Sequence, residues 1–329
     1  MFLMMGSGLS VTTINKWRAC ILFAIGVCVI CFLLLRYSPV LPFNYVRNQI
    51  VATSMNTASH QHIAHIVAAP TEIETIIGNM FMGSDERSET EEIETTGISA
   101  NTDGFDLLEE GIYIRDIFGI GFSGKLMLVL DPSRIIIGTA AVPGEEPATV
   151  QSMVESYGAI AGINGGWYAG YAPTGFVIAG NTRVFPPSEH NDQVNIVGFT
   201  EDNVLVMGAY NEQEAHGARI RDCLSCDPIL IVNGSPLITT GDGGWGIAPR
   251  TAIAQRKDGA VLLLTLDGRQ SHSIGATLIQ VQDVLMDNYA HNAIGLDGGC
   301  STAMYYRGGY LNKPSLGFER DIPTAFLVR

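Results

Sequence analysis

Four glycine-bounded turns gather the side chains of this chain that could do chemistry. Gly162-Ile163-Asn164-Gly165-Gly166-Trp167-Tyr168 ends an apolar run with an amide. Pro249-Arg250-Thr251 follows the glycine-rich loop 241–246 and supplies a guanidinium. Leu266-Asp267-Gly268-Arg269 closes another apolar run with a carboxylate and a second guanidinium. Leu296-Asp297-Gly298-Gly299-Cys300-Ser301-Thr302 adds a second carboxylate and a hydroxyl. Glycine permits positive φ and lets backbone N–H groups come close to a ligand. Taken singly, each segment reads as a tight turn whose Asp or Asn bonds its own backbone. Four of them, each at the end of an apolar run, read together as the rim of one site. That inventory suits a sugar or a phosphorylated ligand. Guanidinium forks grip phosphate oxygens, and carboxylates and amides read hydroxyls.

The elements that must position these turns are short, apolar and β-rich from Gly111 onward, separated by Gly, Asp-Pro and Asn-Gly punctuation. Strands are expected over 112–117, 125–130, 134–140, 160–163, 175–178, 194–199, 204–207, 229–232, 251–255, 261–266, 293–296, 302–306 and 325–328. Two helices are expected, over 148–157 and 277–289. The second carries Leu278, Val281, Val284 and Leu285 on one stripe, and Thr277 with Gln280 has capping-box spacing. Many strands and few helices without strict alternation predict an α+β fold, a mixed β-sheet core with a few packed helices.

From Ala159 to the C-terminus the chain resembles the phosphodiester glycosidase domain family. The motifs come in the family's order: Ile163-Asn164-Gly165-Gly166-Trp167-Tyr168, Pro173-Thr174-Gly175-Phe176, Pro228-Ile229-Leu230 through Gly234, and Pro249-Arg250-Thr251-Ala252. Then follow Asp267-Gly268-Arg269, Gly275-Ala276-Thr277-Leu278, Asn292-Ala293 through Thr302, Asn312-Lys313-Pro314-Ser315, and Arg320 through Thr324. Cys300 stands where the family signature often has Gly, Ala254-Gln255 replaces the usual Gly after the Arg-Thr site, and Cys226-Asp227 precedes Pro228 in place of the usual residues.

The resemblance implies hydrolysis of a sugar 1-phosphodiester between the anomeric carbon and the phosphate oxygen, with no cofactor and no metal. It implies Arg250 and Arg269 on the phosphate and Asp297 as base or nucleophile at the anomeric centre. Asp267 would orient a hydroxyl or share the acid/base role. Asn164 and Ser301 would meet hydroxyls or phosphate oxygens. Gly165, Gly166, Gly298 and Gly299 would line the pocket, and Thr251, Thr302, Asn312 and Arg320 would contact substrate. The substrate class implied is a sugar phosphate or polysaccharide at a surface or outside the cell. The reading from a different class is a non-catalytic glycan-binding or exopolysaccharide-assembly protein on the same fold.

The first 110 residues read differently. Residues 19–35 are seventeen in a row without a charge, roughly 26 Å of helix and enough for a bilayer core with some thinning. Trp17 and Tyr37 flank the run, and Lys16, Arg18 and Arg36 bracket it. The expectation is a cytoplasmic tail over 1–18, a transmembrane anchor over 19–35, and a single-pass protein of the cell membrane with its domain outside. A cleaved signal peptide competes, but Arg36-Tyr37-Ser38-Pro39 lacks the small residues of a cleavage site. Residues 36–110 read as an acidic, largely disordered stalk, with a short helix around Ile73, Ile76 and Ile77 and a like-charge block over Ser84–Thr96.

The formal net charge is −14, and residues 71–110 hold twelve acids against one base, Arg87. Such a balance leaves no basic surface for nucleic acid. Of the six cysteines, Cys20, Cys28 and Cys31 lie in the apolar run. Cys223 and Cys226 form either a local disulfide or two free thiols, with zinc a third option. Cys300 would need a neighbouring His272 or His291 to act as a nucleophile.

Overall fold

The computed structural model describes residues 11–57, 60–80, 87–90, 93–94, 101–140, 146, 148–186 and 192–329. The chain forms two compact units, Met1–Gly78 and Asn79–Arg329.

In the first unit a helix spans Val11–Tyr37. Its segment Trp17–Tyr37 is 21 residues long with mean hydropathy 2.7 and none of it buried, which meets the length and composition of a membrane span. Three further helices follow, Phe43–Met55, Gln61–Val67 and Pro70–Gly78. They close around Val51, Ala64, Val67, Ala68 and Ile73. The disordered stalk expected over 36–110 is therefore not what the described residues form. Each helix has only a few apolar residues, too few to stand out in the sequence, and they are buried by packing on one another. Only the helix around Ile73 was expected. Residues 1–10 of the expected tail, and most of the acidic block 84–96, lie outside the described residues. Within that block, Ser88 exchanges hydrogen bonds with Met207: its N–H donates to the Met207 carbonyl at 3.0 Å, and its Oγ accepts from the Met207 N–H at 3.0 Å.

The second unit is built on three antiparallel sheets. The largest has eight strands in the order Asp106–Glu109, Ile112–Gly119, Phe122–Val129, Val261–Leu266, Arg250–Arg256, Ala290–Gly295, Ile229–Val232 and Ser235–Pro236. A five-stranded sheet orders Leu205–Tyr210, Val194–Thr200, Ile220–Ser225, Val177–Ala179 and Thr182–Phe185. The other orders Gly309–Tyr310, Met304–Tyr306, Ala161–Asn164, Thr324–Val328 and Ile135–Thr139.

The central strands of the eight-stranded sheet read as unbroken apolar runs because both faces are covered. Met127, Val129, Val261 and Leu263 enter the core shared with the other sheets. Leu126, Leu128, Leu262, Leu264 and Leu266 pack with Leu278, Val281 and Leu285 of the helix Leu278–Asp287. That helix begins at Thr277 with the expected capping box to Gln280.

The expected α+β class is the observed one. Among the elements of this unit that the sequence reading did not expect are Asp106–Glu109, Thr182–Phe185, Ile220–Ser225 and the six-residue helix Glu212–Gly217. The strand Ile220–Ser225 carries Arg221 and Asp222, which break the apolar pattern. Arg221 donates to Asp222 and to the Ile135 carbonyl (2.9 Å), and Asp222 accepts from the Gly180 N–H at 2.8 Å, so the charges are satisfied inside the sheet.

Sheet register decides where the four turns meet. Arg250 lies opposite Leu266, which sets Asp267 one residue beyond it. Ala252 lies opposite Gly295, so Leu296 and Asp297 leave the sheet beside Thr251 and Arg250. Asn164 lies opposite Ala325 at the end of its strand.

Candidate active site

Asn164 is the hub on which the site is assembled. It is fully buried. Its Nδ2 donates to the Asp297 carbonyl at 2.6 Å, while its Oδ1 accepts from Thr251 Oγ1 at 2.8 Å and from the Ala303 N–H at 3.2 Å. Thr251 Oγ1 also meets Thr302 Oγ1 at 3.2 Å. One buried amide thus ties together the ends of strands from two sheets. Thr251 and Thr302 are buried in the same cluster.

Gly165 and Gly166 serve this close approach rather than a ligand. A Cβ on Gly165 would come within 2.5 Å of Thr324 Oγ1, and one on Gly166 within 2.3 Å of the Ser225 carbonyl. The Gly165 N–H is engaged by the Thr324 carbonyl at 2.9 Å.

Asp297 is the carboxylate that faces outward from this hub. It is partly buried, and burial pushes its pKa up to about 6 against the pull of the Ser301 hydroxyl, the Arg320 charge and the Gly298 N–H, all of which favour the ionised form. Ser301 is itself buried. Its hydroxyl lies between Asp297 and the Tyr168 hydroxyl, 3.2 Å from the latter. The Arg320 guanidinium sits 5.3 Å above the Tyr168 ring. Burial raises the Tyr168 phenol, and the Asp297 charge adds to that rise. Tyr168 was quoted within a motif but not singled out as a site residue. The aromatic that ends the Asn-Gly-Gly turn was the available signal.

Two guanidiniums flank the loop that follows Asp297. Arg250 lies against Gly298, whose Cβ position would be 3.8 Å from the Arg250 Cα. Its guanidinium donates to the carbonyls of Ala276 (3.0 Å), Trp245 (3.2 Å) and Gly246 (2.6 Å), pinning the loop 241–246. Trp245 in that loop packs on Trp167, with ring centroids 5.5 Å apart. Arg269 is exposed and adopts positive φ (59°), and its Nη1 donates to Cys300 Sγ at 3.2 Å. Gly299 leaves room for it, since a Cβ there would lie 3.4 Å from Arg269 Nη2. Burial lowers the Arg250 pKa to about 10, and repulsion by Arg269 adds to the shift, with Asp242 opposing it. Among the described residues no carboxylate forms a salt bridge with Arg250, Arg269 or Arg320.

Asp267 faces a different way. It is buried, with Oδ1 accepting from Asn312 Nδ2 (3.3 Å) and the Lys313 N–H (2.9 Å), and Oδ2 3.1 Å from His272 Nε2. Asn312 also donates to the Thr302 carbonyl at 3.2 Å, linking the two carboxylate turns.

A family model for phosphodiester glycosidase matches residues 157–329. The chain belongs to the phosphodiester glycosidase family. An N-acetylglucosamine-1-phosphodiester alpha-N-acetylglucosaminidase of Bos taurus is 29% identical over 206 residues, 57% of this chain and 38% of the bovine protein. An uncharacterized SPbeta prophage-derived protein of Bacillus subtilis (strain 168), YomE, is 39% identical over 80 residues, 24% of this chain and 12% of that protein. The chain therefore spans well under half the length of these curated relatives. The fold matches the zebrafish N-acetylglucosamine-1-phosphodiester alpha-N-acetylglucosaminidase catalytic domain, solved auto-inhibited by its pro-peptide. The TM-score is 0.59 at 23% identity, covering 74% of this chain and 87% of that one.

In this member of the family the sequence-expected residues divide. Asp297, Arg250, Gly298, Gly299, Tyr168 and Cys300 are half-buried and Arg269 and Arg320 exposed, linked pairwise by the contacts given above. Asn164, Ser301, Thr251, Thr302, Asn312, Gly165 and Gly166 are brought close to them but lie buried. Of their polar groups, those of Asn164, Thr251, Asn312 and the Gly165 N–H bond to other parts of the protein and hold the turns. Cys223 and Cys226 are free, and burial raises both thiols, Cys226 well above its usual value. Of the alternatives left open, two free thiols are what the structure has. Cys300 is a free thiol facing Arg269, and His272 is engaged by Asp267 instead.

Proposed function

We propose that this protein hydrolyses a sugar 1-phosphodiester, breaking the bond between the anomeric carbon and the phosphate oxygen. The observation that carries the reading is the pair Arg250 and Arg269, two cations close enough to repel, with no salt bridge to either among the described residues, beside the loop that bears Asp297. Like charges held together in this way lower their energy by taking up an anion, and a phosphodiester is such an anion. Arg269, exposed, holds the phosphate oxygens; Arg250, fixed by three carbonyls, supplies positive charge from below.

The leaving group is a phosphate monoester, whose second pKa is about 6. It departs as an anion with little proton donation, so charge stabilisation by the two guanidiniums is the main requirement. The electron pair of the C–O bond goes to the phosphate oxygen. Asp297, ionised at neutral pH, faces the developing oxocarbenium centre and either attacks it or takes a proton from the attacking water. The first route retains the anomeric configuration and the second inverts it, so the product anomer tells them apart. Ser301 and Arg320 hold the Asp297 carboxylate, and Tyr168 holds Ser301.

The apolar helix supports a membrane-anchored enzyme with the amino terminus inside and the second unit outside, acting on surface or extracellular glycans. The deciding experiment measures release of sugar and phosphate monoester from N-acetylglucosamine 1-phosphate esters by the full chain in detergent. Turnover that disappears in Asp297→Asn supports the reading. Glycan binding without turnover points instead to a non-catalytic binding protein. Turnover that survives Asp297→Asn removes the assigned role.

A further inference from the structure

A cleft of about 640 Å³ opens beside the turn 269–274. Phe118, Phe122, Ile274 and Leu311 line it, with Lys125 and Lys313 among its polar residues. Asp267 and His272 form part of its wall, already satisfied by each other. The turn is shared. At its start Arg269 reaches Cys300, and at its end the Ile274 N–H donates to the Gly121 carbonyl at 2.8 Å, joining the hairpin Ile112–Val129. Arg269 and Ile274 pair at the base of this turn, the Arg269 N–H donating to the Ile274 carbonyl at 2.9 Å, so the guanidinium and the cleft wall belong to one turn of chain.

The apolar lining is more exposed than anything else of its kind in the unit. Ile120 at the hairpin tip is 93% exposed and Phe118 is 78% exposed, the two highest values among the large apolar side chains described in 79–329, and Ile274 at 65% shares the next. Phe118 and Ile274 line the cleft, Ile120 stands at the tip of the same hairpin as Phe118, and exposed apolar groups clustered in this way mark a binding surface. The cleft also carries polar side chains, Ser271 and Lys313 among them, and Lys313 is exposed and makes no salt bridge among the described residues, a positive charge on the same lining.

Resting on the proposed phosphodiester hydrolysis, we propose that this cleft takes the aliphatic part of a lipid-type aglycone. The sugar then faces Asp297, the phosphate lies at Arg269, and the hydrocarbon crosses the turn onto Ile274, Phe118 and Ile120. A membrane-length helix in the same chain, Trp17–Tyr37, is in keeping with a substrate drawn from a bilayer.

The test compares methyl and octyl esters of N-acetylglucosamine 1-phosphate, and its 6-mannosyl ester, with the full chain in nanodiscs. The expected result is kcat/KM at least tenfold higher for octyl than for methyl. In Phe118→Ser/Ile120→Ser and in Ile274→Ser, the octyl-over-methyl ratio falls to within twofold of one. All three positions are exposed, so the fold tolerates the changes, and an unchanged melting temperature verifies it. An octyl-over-methyl ratio near one in the parent protein, a ratio that persists in the variants, or a mannosyl ester preferred over the octyl ester overturns the proposal while leaving the phosphodiester reading standing. Failure to turn over any of the three esters overturns both.

Discussion

The side-chain amide of Asn164 donates to the main-chain carbonyl of Asp297 at 2.6 Å across 133 residues of sequence. This bond couples the end of a strand in one sheet to the acidic turn leaving another. Asn164→Ala would leave the Thr251 hydroxyl and the Ala303 N–H without their buried acceptor. The expected loss is about 2–4 kcal/mol of stability, read by urea unfolding. Activity should fall at least a hundredfold under conditions where the variant is still folded, because Asp297 loses its register.

Asp297 sets a pH dependence whose sign follows from its raised pKa. If the carboxylate is the reacting form, kcat/KM falls roughly tenfold per pH unit below pH 6. Ser301→Ala and Arg320→Gln each remove a group that favours the ionised form, so each should move this acid limb to higher pH. A pH–rate profile that stays at the parent position in both variants contradicts the assignment.

The same shift bears on stability in the opposite direction from a salt-bridged acid. The folded state binds a proton on Asp297 more tightly than the unfolded chain, so this group's contribution declines as pH rises from the ordinary aspartate range to about 6. Asp297→Asn should therefore be more stable than the parent at pH 8, with the difference shrinking toward pH 4. Paired thermal melts at the two pH values measure it.

Gly165→Ala probes packing rather than charge. Its Cβ would meet Thr324 Oγ1 and the Thr324 carbonyl at 2.5 and 2.7 Å, against a β-strand that cannot move freely. Destabilisation of about 1–3 kcal/mol is expected. A melting temperature equal to the parent's would mean that the strand Thr324–Val328 yields.

Arg221→Ala leaves Asp222 buried without its cation. Burial already raises Asp222, with the Gly180 N–H and then Arg221 opposing the rise, so removing the cation should cost about 3–5 kcal/mol. Arg221→Ala/Asp222→Ala should recover part of that loss, and a double-mutant cycle reads the coupling.

The sheet was legible because its strands are short, apolar and punctuated by turns. The expected strand over 261–266 is the observed Val261–Leu266, and 229–232 is the observed Ile229–Val232. Ile220–Ser225 was not legible, because Arg221 and Asp222 pair inside the sheet and give the strand a polar signature. The helices between 43 and 78 were hidden by the acidic composition that follows them. At the candidate site, residue types pointed to turns that the fold brings close together, but types do not tell which polar groups are buried against the protein. Asn164 and Asp267 looked alike in sequence to Asp297, and only the register of the strands separates them.

The strand Thr324–Val328 lies between Ala161–Asn164 and Ile135–Thr139, pairing with both. During synthesis the ribosome delivers Asn164 and its glycines long before the strand that seats them. Until that partner emerges, the segment that orders the reacting carboxylate has an open edge. The Asn164 turn, and with it the carbonyl of Asp297 that Asn164 holds, gains both neighbouring strands only after residues 304–306 and 324–328 have been made.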